Sequence, residues 1–257
     1  MSFRGEIDIM PEPPVLQPAR MALFADLDGT LAPIESSPDG VGPNARRRRL
    51  LNSLSSALGG RFAVISGRGL ADLDRVLEGR IRPVAAIHGL VRRRADGTLV
   101  APAAPPAMDQ AFKTLRAFAS RDPQLLVENK GAAVALHYRR APALEAPCID
   151  LAERLATDLA LEVQKGDMVA ELRAPGPDKG AAVRAFMKEP PFAGFTPVYL
   201  GDDLTDESGF RAVQAMGGFG ALVGTRRPTA ARFCLRDVET ARDWLVRALE
   251  RPVDSRS

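Results

Sequence analysis

An apolar strand that ends in two aspartates constrains the fold of this chain more than any other feature. Residues 22–25 form an apolar run, and Asp26, Asp28 and Gly29 follow it almost at once. Carboxylates after a buried strand place charge at the carboxyl edge of a sheet, where open α/β folds bind ligands. Two carboxylates this close repel each other unless a cation or a proton lies between them. The feature therefore predicts an α/β fold with a charged site at one sheet edge.

Apolar runs alternate with helical patterns through much of the chain, which is typical of a parallel sheet covered by helices. Strands are predicted at residues 22–25, 62–65, 84–87, 197–200 and 221–223, and a hairpin at 90–94 and 98–100. Helices are predicted at residues 44–58, 70–77, 179–187, 207–216 and 238–249. We predict a Rossmann-like parallel sheet core with helices on both faces.

The pattern changes after three prolines at positions 102, 105 and 106. The next segment predicts helix 108–119, strands 125–128 and 133–138, helix 144–159, and strands 161–164 and 168–172 around a turn at residues 166–167. We predict an inserted α+β cap domain at residues 101–175, between core segments 21–100 and 176–257, with a flexible N-terminal arm at residues 1–20. The cleft between core and cap is the expected ligand site.

Composition excludes several classes of protein. The net charge is only +3, from 35 basic and 32 acidic residues, and aromatic residues make up 5%. A nucleic-acid binder usually concentrates basic residues in a patch beside aromatic ones, so we predict no nucleic-acid partner. No apolar run approaches the ~20 residues that span a bilayer. The first residues are acidic and proline-rich where a signal peptide would be apolar, so we predict a cytoplasmic protein with no membrane partner.

A second cluster of acids follows the predicted strand at residues 197–200. Gly201 is followed by Asp202 and Asp203, then by Asp206 and Glu207, so four acids occupy six positions. Acids at a helix start can be simple capping residues, but four exceed what capping needs. Hard oxygen ligands of this kind suit Mg²⁺. If the two acidic strand ends are neighbours, one Mg²⁺ relieves the repulsion in both.

Two weaker signals accompany the acids. Ser66, Gly67 and Arg68 end the second strand, where a hydroxyl and backbone N–H groups can form a cradle for an anion. Taken alone, this sequence is equally typical of a simple turn. Lys179 begins a predicted helix, and a lysine there is usually a solvated surface residue. The turn at residues 66–68 and Lys179 indicate a binding site only in combination with the acidic motifs.

The motifs, taken in their order along the chain, resemble those of the haloacid dehalogenase-like phosphohydrolases, and more narrowly those of the trehalose-6-phosphate phosphatase family. The matching motifs are Asp26-x-Asp28-Gly29-Thr30, Ser66-Gly67-Arg68, Glu128-x-Lys130, the run from Glu171 to Gly180 that contains Lys179, and Gly201-Asp202-Asp203-x-Thr205-Asp206-Glu207. The resemblance covers roughly residues 20–250. It implies a Mg²⁺-dependent phosphatase that hydrolyses trehalose 6-phosphate, a phosphorylated disaccharide, through an aspartyl-phosphate intermediate.

The resemblance also implies a role for each matching residue. Asp26 is the expected nucleophile, Asp28 the general acid and base, and Lys179 a third catalytic residue. Asp26 and Asp202 would bind Mg²⁺ through carboxylates and Asp28 through its backbone carbonyl, while Asp203 and Asp206 position the groups around it. Thr30, Ser66, Gly67 and Arg68 are the expected phosphate-binding residues. Glu128, Lys130 and Glu171 are expected to contact the sugar from the cap.

Three alternatives remain. The chain could hydrolyse another phosphorylated sugar, such as a sucrose or mannosylglycerate phosphate. It could be a catalytically silent regulatory domain, although Asp26, Asp28 and Lys179 are all present. It could also be a phosphomutase. We expect a monomer that acts alongside a trehalose-6-phosphate synthase, and we interpret His88 and His137 as structural residues.

Overall fold

The computed structural model describes residues 10–35, 37–103, 105–166, 168–225 and 227–250. Two sheets are present in these ranges. The strands are β1 Met21–Ala25, β2 Phe62–Ile65, β3 Val84–Ala86, β4 Val91–Arg93, β5 Leu99–Val100, β6 Leu126–Asn129, β7 Ala133–His137, β8 Glu162–Gly166, β9 Val169–Arg173, β10 Thr196–Gly201, β11 Phe219–Val223 and β12 Phe233–Leu235. The α-helices are α1 Ala45–Ala57, α2 Leu70–Leu77, α3 Ala107–Ala119, α4 Glu145–Leu159, α5 Lys179–Phe186, α6 Glu207–Ala215 and α7 Val238–Glu250.

The large sheet has eight strands in the order β12-β11-β10-β1-β2-β3-β4-β5. The first six strands in this order run parallel, and the hairpin β4–β5 adds two antiparallel strands at one edge. The predicted α/β fold is therefore confirmed. Strand β12 was not predicted, because a run of three residues is too short to give a periodic signal.

Helices cover both faces of the large sheet, as the alternation along β1 requires. Leu23 and Ala25 pack in the same core as residues of α1, α2 and α7. Ala22 and Phe24 point the opposite way and pack against α5 and α6. Successive side chains of a strand face opposite sides, so a strand that is apolar throughout needs cover on both. Among the helices in the described ranges, none is both long enough and apolar enough to cross a membrane.

The small sheet comes from the middle of the chain, in the order β6-β7-β9-β8 with antiparallel pairing. Helices α3 and α4 cover one of its faces and share a separate apolar core with it, which includes Leu115, Val134 and Leu155. Its elements match the helix-strand-strand-helix-strand-strand order expected for the inserted unit, while the domain boundaries themselves stay a prediction. Asp167, in the predicted turn between β8 and β9, lies outside the described residues.

The second half of the predicted N-terminal arm packs against the large sheet. Trp244 on α7 is buried, and its indole N–H donates to the carbonyl of Pro13 at 3.2 Å. The carbonyl of Pro11 accepts from Cys234 on β12, and Leu16 is buried in the core. A buried indole N–H needs an acceptor, and this segment supplies it, so the expectation of a loose arm is wrong for residues 11–18. Residues 1–9 lie outside the described ranges.

Candidate active site

The two acidic strand ends lie side by side. Strands β1 and β10 are neighbours with Ala25 opposite Leu200, so Asp26 and Asp202 leave the sheet at the same edge. One carboxylate oxygen from each of Asp26, Asp202 and Asp206 lies within 4.8 Å of the other two. The expectation that these strand ends meet is confirmed, and the carboxylates are close enough to share one ion.

The turn after β1 holds Asp202 in place. Gly29 has a φ of +84°, and a Cβ at this position would collide with the Asp202 carboxylate. Only glycine combines this backbone conformation with such a close approach. The buried Thr30 hydroxyl donates to Asp202 Oδ1 at 2.8 Å. Thr30 was expected to bind phosphate, but here its hydroxyl is used to orient a carboxylate.

Asp206 is fully buried and fully hydrogen-bonded. Its Oδ1 accepts from Lys179 Nζ at 2.6 Å and from the Tyr199 hydroxyl at 2.8 Å. Its Oδ2 accepts from the backbone N–H groups of Asp202 and Asp203, each at 3.0 Å. These bonds occupy both oxygens, so Asp206 anchors the acidic loop, which is residues 202–206 after β10. Asp203 uses its own carboxylate to cap the short helix that follows.

Lys179 is buried between two carboxylates, not solvated. It is the first residue of α5, after Asp178, whose carboxylate accepts from a backbone N–H of the first turn. Its Nζ lies 2.6 Å from Asp206 Oδ1 and 3.3 Å from Asp26 Oδ1. Burial lowers the pKa of Lys179, but Asp206 and Asp26 together raise it above its usual range. The lysine therefore stays charged beside the expected nucleophile.

Asp26 and Asp202 carry negative charge that nearby cations do not fully compensate. Asp26 Oδ1 is buried and accepts no hydrogen bond. Burial raises the pKa of Asp26 well above its usual value; Lys179 lowers it, and nearby aspartates raise it further. Burial, followed by repulsion from Asp206, raises the pKa of Asp202 to about 7. A buried oxygen that accepts no hydrogen bond, among clustered carboxylates, fits a hard divalent cation, and Asp26 and Asp202 are the side chains that would hold it.

Asp28 is held away from this acidic group by an arginine. Arg68 donates to both carboxylate oxygens of Asp28, at 2.7 Å each, and it also forms an ion pair with Asp72. Its guanidinium, expected to bind phosphate, is occupied by these carboxylates in this structure. The buried Ser66 hydroxyl accepts from the backbone N–H of Arg68 at 3.3 Å. This bond closes the tight turn at the end of β2.

A cavity of about 650 Å³ lies above the acidic group, between the two sheets. Such a volume is in the usual range for a small-molecule site. Of the predicted site residues, only Thr30 and Asp206 do not line it. Both are buried and hydrogen-bonded to Asp202. The cavity is lined from the large sheet by Asp26, Asp28, Ser66, Gly67, Arg68, His88, Lys179, Asp202 and Asp203, and from the small sheet by Glu128, Lys130, His137, Arg139, Gln164 and Glu171.

The small sheet presents one row of polar residues to the cavity. Its register places Glu128 opposite Ala135, Ala135 opposite Glu171, and Glu171 opposite Gln164. Residues that pair directly across a sheet share a face, and α3 and α4 cover the other face. The predicted sugar-contact residues Glu128 and Glu171 thus lie on one surface.

Lys130 connects this surface to the large sheet. Its Nζ forms an ion pair with Glu171 and donates to the carbonyl of Gly67 at 2.8 Å. Only 8% of its side chain is exposed, so it is not a solvated hairpin residue. Burial lowers the pKa of Lys130, but Glu171 and Glu128 raise it above its usual range.

Several residues of this region were not predicted as site residues, among them His137, His88 and Arg227. His137 Nε2 lies 3.0 Å from Glu128, and its position two residues after Ala135 was a period-2 signal for the cavity face. His88 follows β3 at the same sheet edge as the acids. Arg227 donates to the carbonyl of Asp203 at 2.6 Å, and nothing in its sequence surroundings indicated this.

Comparison with known proteins agrees with this geometry. The family model described as trehalose-phosphatase matches residues 24–239. Trehalose-6-phosphate phosphatase of Escherichia coli (strain K12) is 40% identical over 229 residues, which cover 88% of this chain and 86% of that protein. A probable trehalose-phosphate phosphatase of Sinorhizobium fredii (strain NBRC 101917 / NGR234) is 38% identical over 213 residues, covering 81% of this chain and 80% of that protein.

A solved structure extends the agreement to three dimensions. The crystal structure of a trehalose-6-phosphate phosphatase related protein matches with a TM-score of 0.72 and 27% identity, covering 89% of this chain and 96% of that one. The family model begins two residues before Asp26 and extends past Glu207, so the sequence match includes both acidic strand ends. By sequence and by fold, this chain belongs to the trehalose-phosphatase family.

Proposed function

We propose that this protein hydrolyses trehalose 6-phosphate to trehalose and inorganic phosphate. The observation that carries the proposal is Asp26 Oδ1, which accepts no hydrogen bond and lies beside Lys179 and Asp202 at the base of a sugar-sized cavity. A carboxylate in this position can attack phosphorus directly. The family to which the chain belongs supports the choice of a phosphate monoester as the substrate.

Asp26 acts as the nucleophile. Its carboxylate oxygen attacks phosphorus, the bond between phosphorus and the sugar oxygen breaks, and an aspartyl-phosphate forms. One difficult displacement is thereby divided into two easier ones. Lys179, 3.3 Å from Asp26 Oδ1, favours the ionised form of the attacking group against the cost of burial.

Mg²⁺ bound by Asp26 and Asp202 would neutralise charge on the transferring phosphoryl group and favour the ionised carboxylates. The Asp28 carbonyl is the third expected ligand from the protein. Thr30 keeps the Asp202 carboxylate oriented by its hydrogen bond, and Asp206 fixes the backbone of the Asp202 loop.

Asp28 acts as the general acid and base. It gives a proton to the leaving sugar oxygen, and later takes a proton from the water that attacks the aspartyl-phosphate, which regenerates Asp26. Arg68 occupies both carboxylate oxygens of Asp28, so Asp28 must leave Arg68 before it reaches the substrate. The freed Arg68 is then available to the phosphate, together with Ser66 and the N–H groups of the turn at Gly67.

The surface of the small sheet selects the sugar. Glu128, Lys130 and Glu171 present charged donors and acceptors, which match the hydroxyl groups of a sugar ring. The burial of Lys130 and Glu171 makes the contact selective, because a missing hydroxyl would leave a buried charged group without a partner.

A phosphate-release assay over a panel of esters tests the proposal. The panel contains trehalose 6-phosphate, sucrose 6-phosphate, a mannosylglycerate phosphate and an aryl phosphate, each with Mg²⁺ and with a chelator. We expect the highest kcat/KM for trehalose 6-phosphate, loss of activity with the chelator, and recovery when Mg²⁺ is restored. Preference for another sugar ester would overturn the substrate assignment. Absence of phosphate release from every ester would favour a silent regulatory domain, and acceptor-dependent transfer would favour a phosphomutase.

The remaining expectations are separate proposals. We expect a monomer, which light scattering can measure, a cytoplasmic location, and a trehalose-6-phosphate synthase as the enzyme that supplies the substrate.

A further inference from the structure

His88 lies in a strained turn at the edge of the large sheet. Ile87 and His88 have φ values of +50° and +54°, in the left-handed region that such residues rarely adopt. Residues held in this strained conformation concentrate at active sites and ligand-binding sites. Backbone bonds hold the turn, because the N–H groups of His88 and Ile87 donate to the carbonyls of Ser66 and Arg68 at 3.0 Å each.

The imidazole of His88 lies between the turn at Gly67 and the small sheet. A Cβ on Gly67 would lie 2.5 Å from His88 Cε1 and 2.6 Å from Nε2, so only glycine leaves room for the ring. On its other side, His88 Nε2 lies 3.7 Å from Glu171 Oε1. The ring lines the cavity and keeps 16% of the His88 side chain exposed.

His88 and Glu171 both have hydrogen-bonding capacity that the protein does not use. Within the described residues, three buried side-chain polar atoms accept or donate no hydrogen bond: Asp26 Oδ1, Glu171 Oε1 and His88 Nδ1. The first is the expected nucleophile. The separation of 3.7 Å between Nε2 and Glu171 Oε1 is too long for a direct bond. An oxygen placed to one side of the line joining the two atoms, at hydrogen-bond distance from each, can bond to both.

The surroundings of His88 also determine which nitrogen carries the proton. Burial, then Lys179, Lys130 and Arg173, lower the pKa of His88 well below its usual value, so the ring is neutral and has one N–H. A buried N–H without a partner is rarer than a buried lone pair without one. The proton therefore belongs on Nε2, which faces the cavity, and the buried Nδ1 keeps the lone pair.

We propose that His88 Nε2–H and Glu171 Oε1 bind one hydroxyl group of the substrate, which accepts from the histidine and donates to the carboxylate. The proposal rests on the proposed function. Because His88 packs on Gly67, beside the expected phosphate site, the hydroxyl belongs to the sugar ring that carries the phosphate. His88 is then a residue that determines specificity, supplied by the large sheet to complement Glu171 on the small one.

Two matched substitutions test this contact. In His88→Gln, the side-chain amide N–H can take the place of Nε2–H, whereas in His88→Asn the amide is too short to reach it. Asparagine tolerates the left-handed conformation better than glutamine. If backbone strain alone determined activity, His88→Asn would therefore be more active than His88→Gln. The measured quantity is kcat/KM for trehalose 6-phosphate divided by kcat/KM for an aryl phosphate, which lacks hydroxyl groups.

We expect His88→Asn to lower this ratio by about 10- to 100-fold, the usual effect of leaving a buried polar group unpaired, and His88→Gln to recover most of it. Analogues of trehalose 6-phosphate that each lack one hydroxyl of the phosphorylated ring identify the group. With the analogue that lacks the hydroxyl bound by His88, wild type and His88→Asn should have nearly equal kcat/KM, because neither can form the contact.

Equal ratios in the two variants, or the same loss with every analogue, would overturn the His88 proposal and leave the proposed function standing. The preference of the wild type among sugar esters is measured first. Preference for another ester would overturn the proposed function, and the His88 ratio would then be measured with that ester.

Discussion

Aspartates that are alike in sequence differ in their surroundings at the edge of the large sheet. Asp28 is paired with an arginine, and Asp206 binds Lys179 and two backbone N–H groups. Asp26 and Asp202 have fewer compensating partners, and burial raises the pKa of both. Environment therefore separates anchoring carboxylates from those that can bind a metal or attack phosphorus.

Asp26→Asn is expected to abolish turnover, because an amide cannot attack phosphorus. The loss of kcat should be on the order of 10⁴-fold or more. Asp158→Asn is the matched control, since Asp158 is an exposed residue of α4 that does not line the cavity, and its effect should be much smaller. Phosphate release and circular dichroism measure activity and folding. Substantial activity in folded Asp26→Asn would refute the nucleophile assignment.

Asp28→Asn is expected to slow both chemical steps, and intact-protein mass spectrometry should then detect phosphorylated enzyme. An amide at this position cannot take a proton from the hydrolytic water, so the aspartyl-phosphate accumulates if its formation is slowed less than its hydrolysis. The mass increase should be absent in the double variant with Asp26→Asn. A phosphorylated double variant would place the phosphoryl group on another residue.

Without metal, the contribution of Asp202 to stability is expected to fall as pH rises from about 4 to about 7. Burial raises the pKa of Asp202 to about 7, whereas an unfolded aspartate titrates near 3.9. Across this interval Asp202 binds more protons in the folded state than in the unfolded state, so its contribution to the free energy of unfolding decreases with pH, by a few kcal/mol at most. Asp26 contributes with the same sign.

Urea unfolding at pH 5 and pH 8 in the presence of a chelator measures this effect. The Asp202→Asn variant should show a weaker pH dependence, because its amide does not titrate. Mg²⁺ should stabilise the wild type more at pH 8 than at pH 5, because the metal needs ionised ligands. An equal pH dependence in the variant would exclude Asp202 as the source.

At the scale of elements, the segment after β11 supports the acidic loop after β10. Arg227 donates to the carbonyl of Asp203 at 2.6 Å and pairs with Glu207 on α6 at 2.5 Å. Glu207 also accepts from the Thr229 hydroxyl and the Ala230 N–H, at 2.7 and 2.6 Å. These bonds connect two parallel strands at the edge that carries the metal candidates.

Arg227→Met is expected to weaken Mg²⁺ binding several-fold, because the loop that carries Asp202 loses a charged donor and Glu207 loses its partner. The shift of Tm with Mg²⁺ concentration measures affinity independently of activity. The control is Arg232→Met, since Arg232 is an exposed arginine that bonds to Gln214. If the two variants bind Mg²⁺ equally, Arg227 does not position the site.

At the scale of the whole molecule, polar contacts cross the cavity between two separate apolar cores. Lys130 of the small-sheet unit donates to Gly67, and Arg139 donates to the carbonyl of Glu35 at 2.7 Å. Polar contacts of this kind exchange readily with water or ligand. They can therefore break and re-form without disturbing either core, which suits a site that must admit a sugar and then exclude water.

Lys130→Ala is expected to raise KM for trehalose 6-phosphate by at least about 10-fold, and to raise KM for an aryl phosphate much less. The substitution leaves Glu171 buried without its cation, at a site that we assign to the sugar. Lys165→Ala is the control, because Lys165 pairs with Glu153 at the surface of the small sheet. An equal rise of KM for both esters would argue against a sugar contact.

Pattern alone located most elements and the strand ends that form the site. Continuous apolar runs predicted β1 and β2, and helical repeats predicted α1 and α2, each to within one residue at each end. The division of roles among the acids required contacts instead. A capping aspartate such as Asp203 and a fully bonded one such as Asp206 differ only in which groups surround them, and those groups come from β10 and α5.

The sequence by itself determined that acids would end two strands of a parallel sheet and that a separate α+β unit would lie between the core segments. These properties follow from local periodicity and from short motifs, which act over a few residues. Only the tertiary structure decided that Arg68 would hold Asp28, that Thr30 would hold Asp202, and that His88 would face Glu171. Such pairs join residues 40 to 172 positions apart, and their partners depend on how separate elements pack.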